Sequence, residues 1–213
     1  MTAVNQGKPI RVLIVDDHPM IRDGLSMAIG SQPDMELVAS ANGGHAAVKL
    51  FREHHPDVTL MDLMMPDLSG IDAIARIRQD FPQARIIVLT TYSGDIQAAR
   101  ALKAGASGYL LKSMLSTELV DTIRRVHMGQ RRIQPEIASE IASHLDADAL
   151  SEREVAVLSE VATGSSNKQI GSTLGISEDT VKGHMKNILS KLAANDRTHA
   201  VLIAMKRGYL KPE

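Results

Sequence analysis

Five polar side chains stand at or just beyond the ends of short apolar runs. Asp16 and Asp17 follow IRVLIV, Asp62 follows VTLM, Thr90 closes RIIVLT, and Lys112 closes SGYLLK. Each one alone reads as a turn residue or a solvated charge. Together they offer carboxylates, a hydroxyl and an ammonium from positions spread between 16 and 112. Clustered carboxylates repel unless a cation lies among them, and an oxygen-rich set suits Mg2+, which keeps several of its waters. A metal held by one or two carboxylates beside a lysine is a way of handling phosphoryl groups, and a carboxylate can itself be the covalent nucleophile. Asp62 is the candidate for that role, because the central run places it between the acid pair and Lys112.

The elements that would bring these groups together are legible as alternation. IRVLIV, MELVAS, DVTLMD, RIIVLT and SGYLLK are separated by segments with helical apolar spacing, such as Met20, Ile21, Leu25, Ala28 and Ile29. Continuous apolar strands alternating with helices predict a parallel sheet covered on both faces. Right-handed crossovers put all strand C-termini along one edge, which is where open sheets of this kind bind ligands. His18 fits the loop beside the acid pair. The adjacent His54 and His55 do not share a helix face, and the histidines lack zinc-ligand spacing.

Composition removes several classes of function. The chain of 213 residues is long enough for two modest domains, with 44% hydrophobic and 23% charged residues, as in an ordinary soluble protein. There is no Cys and no Trp, and aromatic residues are only 2%. Disulfide frameworks and thiolate metal sites are therefore excluded, and aromatic stacking is not the main binding device. The N-terminal MTAVNQGKP has no apolar leader core, and no run reaches membrane-spanning length. These features predict a cytoplasmic protein that makes no membrane contact. Net charge is −1, but residues 149–213 carry 9 basic against 7 acidic side chains, an excess of two. That excess permits nucleic-acid binding without requiring it.

The set formed by Asp16-Asp17, MDLMMPDLSG, VLT ending at Thr90 and GASGYLLK ending at Lys112 resembles the receiver domain of bacterial response regulators, over about residues 9 to 128. The resemblance implies a flavodoxin-like, five-stranded sheet of order 2-1-3-4-5. It also implies that Asp62 accepts a phosphoryl group from a histidine of a sensor kinase. Asp16 and Asp17 would help to bind Mg2+ with Asp62, and the Met64 backbone carbonyl would complete the set. Thr90 would turn its hydroxyl to the phosphoryl oxygens, Tyr109 would be the coupled switch, and Lys112 would pair with the phosphate. Met64 and Tyr92 lie two residues beyond Asp62 and Thr90. Both are bulky, and neither can orient an attacking water, which predicts slow loss of the phosphoryl group.

The second half reads as helices with clear punctuation. Residues 129–148 form a linker in which Ile137, Ile141 and Leu145 suggest one short helix. Ser151 with Glu154, and Ser166 with Gln169, are capping boxes. Gly175 is a helix stop, and Ser177 caps a further helix with Glu178 and Asp179 in its first turn. In that helix Val181, Met185, Ile188 and Leu192 make a buried stripe opposite Lys182, Gly183, Lys186 and Ser190. A helix after a tight turn, with an exposed lysine face, has what major-groove recognition needs. Five consecutive apolar residues, Val201 to Met205, exceed what one packed face requires and suggest a dimer contact.

Residues 149–210 closely resemble the four-helix DNA-binding domain of LuxR-type regulators of the NarL/FixJ kind. By that resemblance Lys182, Gly183 and Lys186 make base and groove contacts. Asn167, Lys168 and Thr180 would touch the DNA backbone, and the last helix would pair through Val201, Leu202 and Met205. Gly183 departs from the β-branched residue often found there, which removes an apolar contact to thymine. The whole reading is a transcriptional regulator with double-stranded operator DNA and a sensor histidine kinase as partners. Phosphorylation would change dimerisation or exposure of the DNA-binding domain, and no turnover would occur beyond its own phosphorylation and slow dephosphorylation. Two rivals remain. A magnesium-dependent aspartyl phosphatase generally shows D-x-D, and the second position here is Met64. A ligand-sensing quorum regulator would need an aromatic-lined pocket.

Overall fold

A computed structural model describes residues 8–91, 95–133, 138–139 and 149–210. The chain divides into two compact units, residues 1–91 with 98–135, and residues 92–97 with 136–213. In chain order the first elements are β1 (Ile10–Val15), α1 (Pro19–Gly30), β2 (Met35–Ala41), α2 (Gly44–His54), β3 (Val58–Asp62) and α3 (Gly70–Asp80). They are followed by β4 (Ile86–Thr90), α4 (Asp95–Ala104), β5 (Gly108–Leu111), a 3-10 turn over Lys112–Met114, α5 (Leu115–His127) and β6 (Arg132–Ile133).

The strands form one parallel sheet of order β2-β1-β3-β4-β5-β6. All of β3 and β4 is buried, as expected of strands covered on both faces. One face packs Val12, Ile14, Leu60 and Leu89 against Leu25 and Ile29 of α1 and Leu119, Ile123 and Val126 of α5. Three details differ from the sequence reading. The sheet has a sixth strand, because Arg132–Ile133, assigned to the linker, adds in parallel to Gly108 and Tyr109. A two-residue strand has too little periodicity to be seen in sequence. Lys112 does not close β5 but opens the 3-10 turn that follows it. Met20, one of the residues that give α1 its helical apolar spacing, is 87% exposed, whereas Leu25 and Ile29 are buried. Tyr92 and the helical pattern of Ile137, Ile141 and Leu145 lie outside the described residues.

The loop after β3 is held from both sides. Gly70 opens α3 directly over the strand end, where a Cβ would collide with the Asp62 carbonyl. Its N–H donates to Leu63 O at 3.0 Å, and Ser69 caps α3 by accepting from Asp72 N. Asp67, in the same loop, reaches the start of α2, where its carboxylate accepts from Gly44 N at 3.0 Å and His45 N at 3.1 Å. The α2 N-terminus has no side-chain cap of its own, so a residue 23 positions away supplies one.

The second unit holds α6 (Glu152–Ala162), α7 (Asn167–Leu174), α8 (Glu178–Lys191) and α9 (Arg197–Arg207). Both expected capping boxes are present, Ser151 with Glu154 and Ser166 with Gln169. Gly175 adopts the left-handed conformation after α7, and Ser177 caps α8. Val157, Leu158, Ile170, Val181, Met185, Ile188, Leu192, Ala200 and Ala204 are among the residues of one core. Glu154 is buried and also meets Lys191 Nζ at 2.9 Å, tying the start of α6 to the end of α8. Burial alone would raise the Glu154 carboxyl. The Lys191 ammonium and the Ser151 donors outweigh it, so the group lies below its ordinary value.

Hydrogen bonds from backbone N–H groups favour the ionised form of Asp67 and hold its pKa down to about 2, from an ordinary 3.8. A depressed carboxyl contributes stability that is present above about pH 4 and is lost as pH falls through the folded value. Asp67 is exposed, so solvent screening keeps the effect modest. Asp67→Ala is expected to lower unfolding stability by about 1 kcal/mol near pH 7. Asp67→Asn, which can still accept a hydrogen bond, should lose less, and its deficit should close between about pH 4 and about pH 2. Urea denaturation across that range measures both.

Candidate functional site

Asp16, Asp62 and Lys112 meet at the C-terminal edge of the sheet. The Lys112 ammonium lies 2.7 Å from Asp16 Oδ2 and 2.9 Å from Asp62 Oδ2, and donates a hydrogen bond to the latter. Asp16 is 0% and Asp62 2% exposed. The remaining Asp62 oxygen, Oδ1, accepts from Met64 N at 3.3 Å. Thr90, at the end of β4, and Tyr109, in the middle of β5, are both fully buried. Each strand end thus delivers its group because the strand runs straight out of the apolar core, and the loop after it turns on residues such as Gly70.

Electrostatics within this pocket are unbalanced. Desolvation raises the Asp62 pKa, the Lys112 hydrogen bond and charge oppose it, Asp16 adds repulsion, and the net shift is upward. Burial acts to lower Lys112, but hydrogen bonds and attraction from Asp16 and Asp62 prevail, leaving the ammonium above its ordinary value. Among the described residues Lys112 is thus shared by two carboxylates, Asp16 and Asp62, with a third, Asp17, beside them. Asp16, Asp17, His18 and Asp62 each offer a ligand atom within 4.8 Å of the others. This excess of oxygen donors and negative charge fits a hard divalent cation such as Mg2+.

His18 and Arg22 join the site without having been expected as functional residues. His18 Nδ1 lies 2.7 Å from Asp17 Oδ1 and 3.3 Å from Asp16 Oδ1, and the His18 backbone N–H donates to Asp16 Oδ1. Arg22 donates to the Asp16 carbonyl at 2.8 Å. Both sit at the start of α1, so the signal available in sequence was their position one turn apart, just after the acid pair. Met64 is half-buried beside Asp62, whereas Tyr92 lies outside the described residues.

On the second unit, Lys182, Gly183, Lys186, Lys168 and Thr180 are exposed and Asn167 is half-exposed. Val181, Met185 and Ile188 take the buried side of α8. Gly171 lets the turn pass close to α7, since a Cβ there would stand 2.7 Å from the Ile176 carbonyl. Lys182 Nζ is 3.1 Å from Asp179 Oδ1 and 3.3 Å from Glu178 Oε1. On α9, Leu202 is 61% exposed. Val201 and Met205 are partly buried against the core of the same unit.

Residues 12–124 match the response regulator receiver domain, and residues 148–204 match the bacterial regulatory proteins of the luxR family. The chain is 37% identical over 207 residues to response regulator protein VraR of Staphylococcus aureus, covering 95% of this chain and 99% of the relative. The chain is a response regulator with a LuxR-type DNA-binding domain. Solved relatives agree. A LuxR-family two-component response regulator from Aurantimonas sp. SI85-9A1 is 40% identical at a TM-score of 0.62, covering 65% of this chain and 99% of the other. The response regulator ChrA of a heme-sensing two-component system is 33% identical at a TM-score of 0.57, covering 96% and 100%. RcsB in complex with DNA shares the fold at 23% identity and a TM-score of 0.68, covering 93% and 99%. This response regulator is thus a two-component protein of the transcription-regulating kind, with an acidic cluster where receiver domains normally bind a metal. Among the described residues no helix is long and apolar enough to cross a membrane.

Removal of the ammonium should expose the imbalance. Lys112→Ala is expected to cost about 3 kcal/mol near neutral pH, because two buried carboxylates lose their counter-charge. The folded pKa of Asp62, already raised, would rise further without the ammonium, so stability should recover as pH falls toward the ordinary carboxylate range. Mg2+ should restore part of it at neutral pH. Urea midpoints with and without Mg2+ measure the effect, and an unchanged midpoint near neutral pH would contradict it.

Proposed function

We propose that this response regulator takes a phosphoryl group on Asp62 from a histidine of a sensor kinase. The resulting aspartyl phosphate would alter dimerisation, exposure of the DNA-binding domain, or both. The observation that carries this reading is the buried Asp62 carboxylate held 2.9 Å from Lys112 within the acidic cluster. A carboxylate oxygen of Asp62 attacks phosphorus, an O–P bond forms, and the N–P bond to the kinase imidazole breaks. The imidazole leaves and takes up a proton. Lys112, already pointing at Asp62, pairs with the transferred phosphoryl oxygens, and Asp16 loses its direct claim on that ammonium.

Asp16, Asp17 and Asp62, with the Met64 carbonyl, would hold Mg2+, which supplies positive charge to the developing phosphoryl oxygens when bound. Thr90 and Tyr109, buried on neighbouring strands, are the switch pair. Thr90 moves its hydroxyl to the new phosphate, and Tyr109 repacks in response. The protein works in the cytoplasm, meets its operator through Lys182, Gly183, Lys186, Asn167, Lys168 and Thr180, and pairs through α9, where Leu202 is the most exposed of the candidate residues. It turns over no separate substrate.

Asp62→Asn tests the acceptor. Wild-type protein with acetyl phosphate and Mg2+ should gain a phosphoryl group detectable as a mobility shift and by intact mass, and the variant should gain none. Uptake by the variant at the wild-type rate would defeat the assignment. A second measurement follows phosphate loss from the purified protein. Met64 and Tyr92 offer no acid or amide to orient water, so the signal should persist for minutes or longer, and loss within seconds would overturn that expectation.

A further inference from the structure

The recognition helix carries its own counter-ions. Asp179 and Glu178 lie three and four residues before Lys182, on the same face of α8, and both carboxylates stand within 3.3 Å of its ammonium. Neither acid is needed to close the helix end, because the Ser177 side chain already accepts from Thr180 N. Asp179 is the most open of the three, with its side chain 89% exposed. Beside Lys182, Gly183 presents no side chain, and a Cβ there would meet nothing. This part of the face can therefore offer DNA only polar and charged groups. The charge margin is narrow, since residues 149–213 hold 9 basic against 7 acidic side chains. A single acid on the contact face is a large fraction of that margin.

We propose that Asp179, backed by Glu178, holds Lys182 in an internal ion pair that DNA must displace, which makes Asp179 a specificity-determining residue. The inference rests on reading α8 as the helix that contacts DNA. A free surface lysine gains from any phosphate, because condensed counter-ions are released whatever the sequence. A lysine already neutralised by its own helix has less to gain, and the displaced carboxylate is left facing a polyanion. On arbitrary sequence only phosphates reward the exchange, so binding is weakened. Where guanine O6 and N7 lie within reach, Lys182 finds directed acceptors, and the exchange is repaid. The pair thus penalises wrong sequence more than right sequence. Hydrogen bonds to Asp179 and then Glu178 raise the Lys182 pKa above its ordinary value, as an ion pair with both acids should. Asp179 acts through Lys182 and is a positioning residue.

The test uses the full chain with acetyl phosphate and Mg2+. The wild type first selects a preferred duplex from a random-sequence pool, and anisotropy titrations then compare that duplex with a mixed-sequence one. Asp179→Asn is expected to bind mixed-sequence DNA more tightly and to show a smaller ratio of selected to mixed affinity. Its dependence on salt should steepen by up to one phosphate contact, so its advantage shrinks about threefold between about 50 mM and about 200 mM salt. In a Lys182→Ala background the same substitution should lose most of its effect, because the pair it breaks is already gone. Unchanged mixed-sequence affinity and salt slope in Asp179→Asn would overturn the proposal. So would an equal effect in the Lys182→Ala background, which would mean that Asp179 merely repels phosphate. A loss of selected-duplex affinity confined to one base pair would also overturn it, by showing that Asp179 reads a base directly. Failure of the wild type to bind or select any duplex would sink the DNA-contact reading of α8 itself, and the inference with it.

Discussion

A carboxylate removed from water persists in charged form where an opposite charge and hydrogen-bond donors answer it. In this response regulator Asp62 is answered by Lys112, 50 residues away, and Asp16 shares the same ammonium. Much of the receiver unit follows from satisfying that requirement. Three parallel strands must end level with one another, β1 and β3 adjacent and β5 beyond β4. The loops that follow must turn at once, so that carbonyls and helix starts leave the pocket open. Gly70 allows that turn beside Asp62. The apolar burial of β3 and β4 supplies the rigidity that keeps the groups in register. The same burial keeps water from screening any further charge placed on Asp62.

The second unit relies more on local interactions. It is small, and a good part of its order comes from helix ends, two capping boxes and the side-chain caps of α8 and α9. Glu154 both caps α6 and pairs with Lys191, so one buried charge fastens a terminus and a helix crossing together. With the inner side of α8 spent on Val181, Met185 and Ile188, its outer side is free to carry charge. The run Val201 to Met205 shows how crowding resolves. Ala204 is fully buried, Val201 and Met205 lean on the core, and only Leu202 projects widely.

Legibility in the sequence tracked the range of each interaction. Capping boxes, the Gly175 stop and the stripe of α8 depend on residues three or four apart, so their spacing alone declares them. The strands carrying Asp16, Asp62 and Thr90 were equally plain, because a strand buried on both faces reads as unbroken apolar sequence. Met20 shares the apolar spacing of Leu25 and Ile29 yet is exposed, because spacing alone does not say which members of a stripe meet the sheet. The strand Arg132–Ile133 and the Asp67 cap on α2 went unseen because each depends on a partner distant in sequence. His18 was seen only as a loop neighbour of the acids, and its contact with both came from the turn into α1.

What the sequence determined alone is the inventory and its spacing: which acids end which strands, where the helices begin and stop, and which side of α8 faces inward. These are set by periodicity and local backbone chemistry, which act over a few residues. Tertiary structure decided the pairings. Lys112 bridges Asp16 and Asp62, Lys191 finds Glu154, and Asp67 closes a helix it does not belong to. No local rule fixes those partners, because each depends on where the crossovers and helix packing bring distant segments. At Asp16, Asp62 and Glu154 burial then sets the electrostatics, by removing the water that would otherwise have answered the charge.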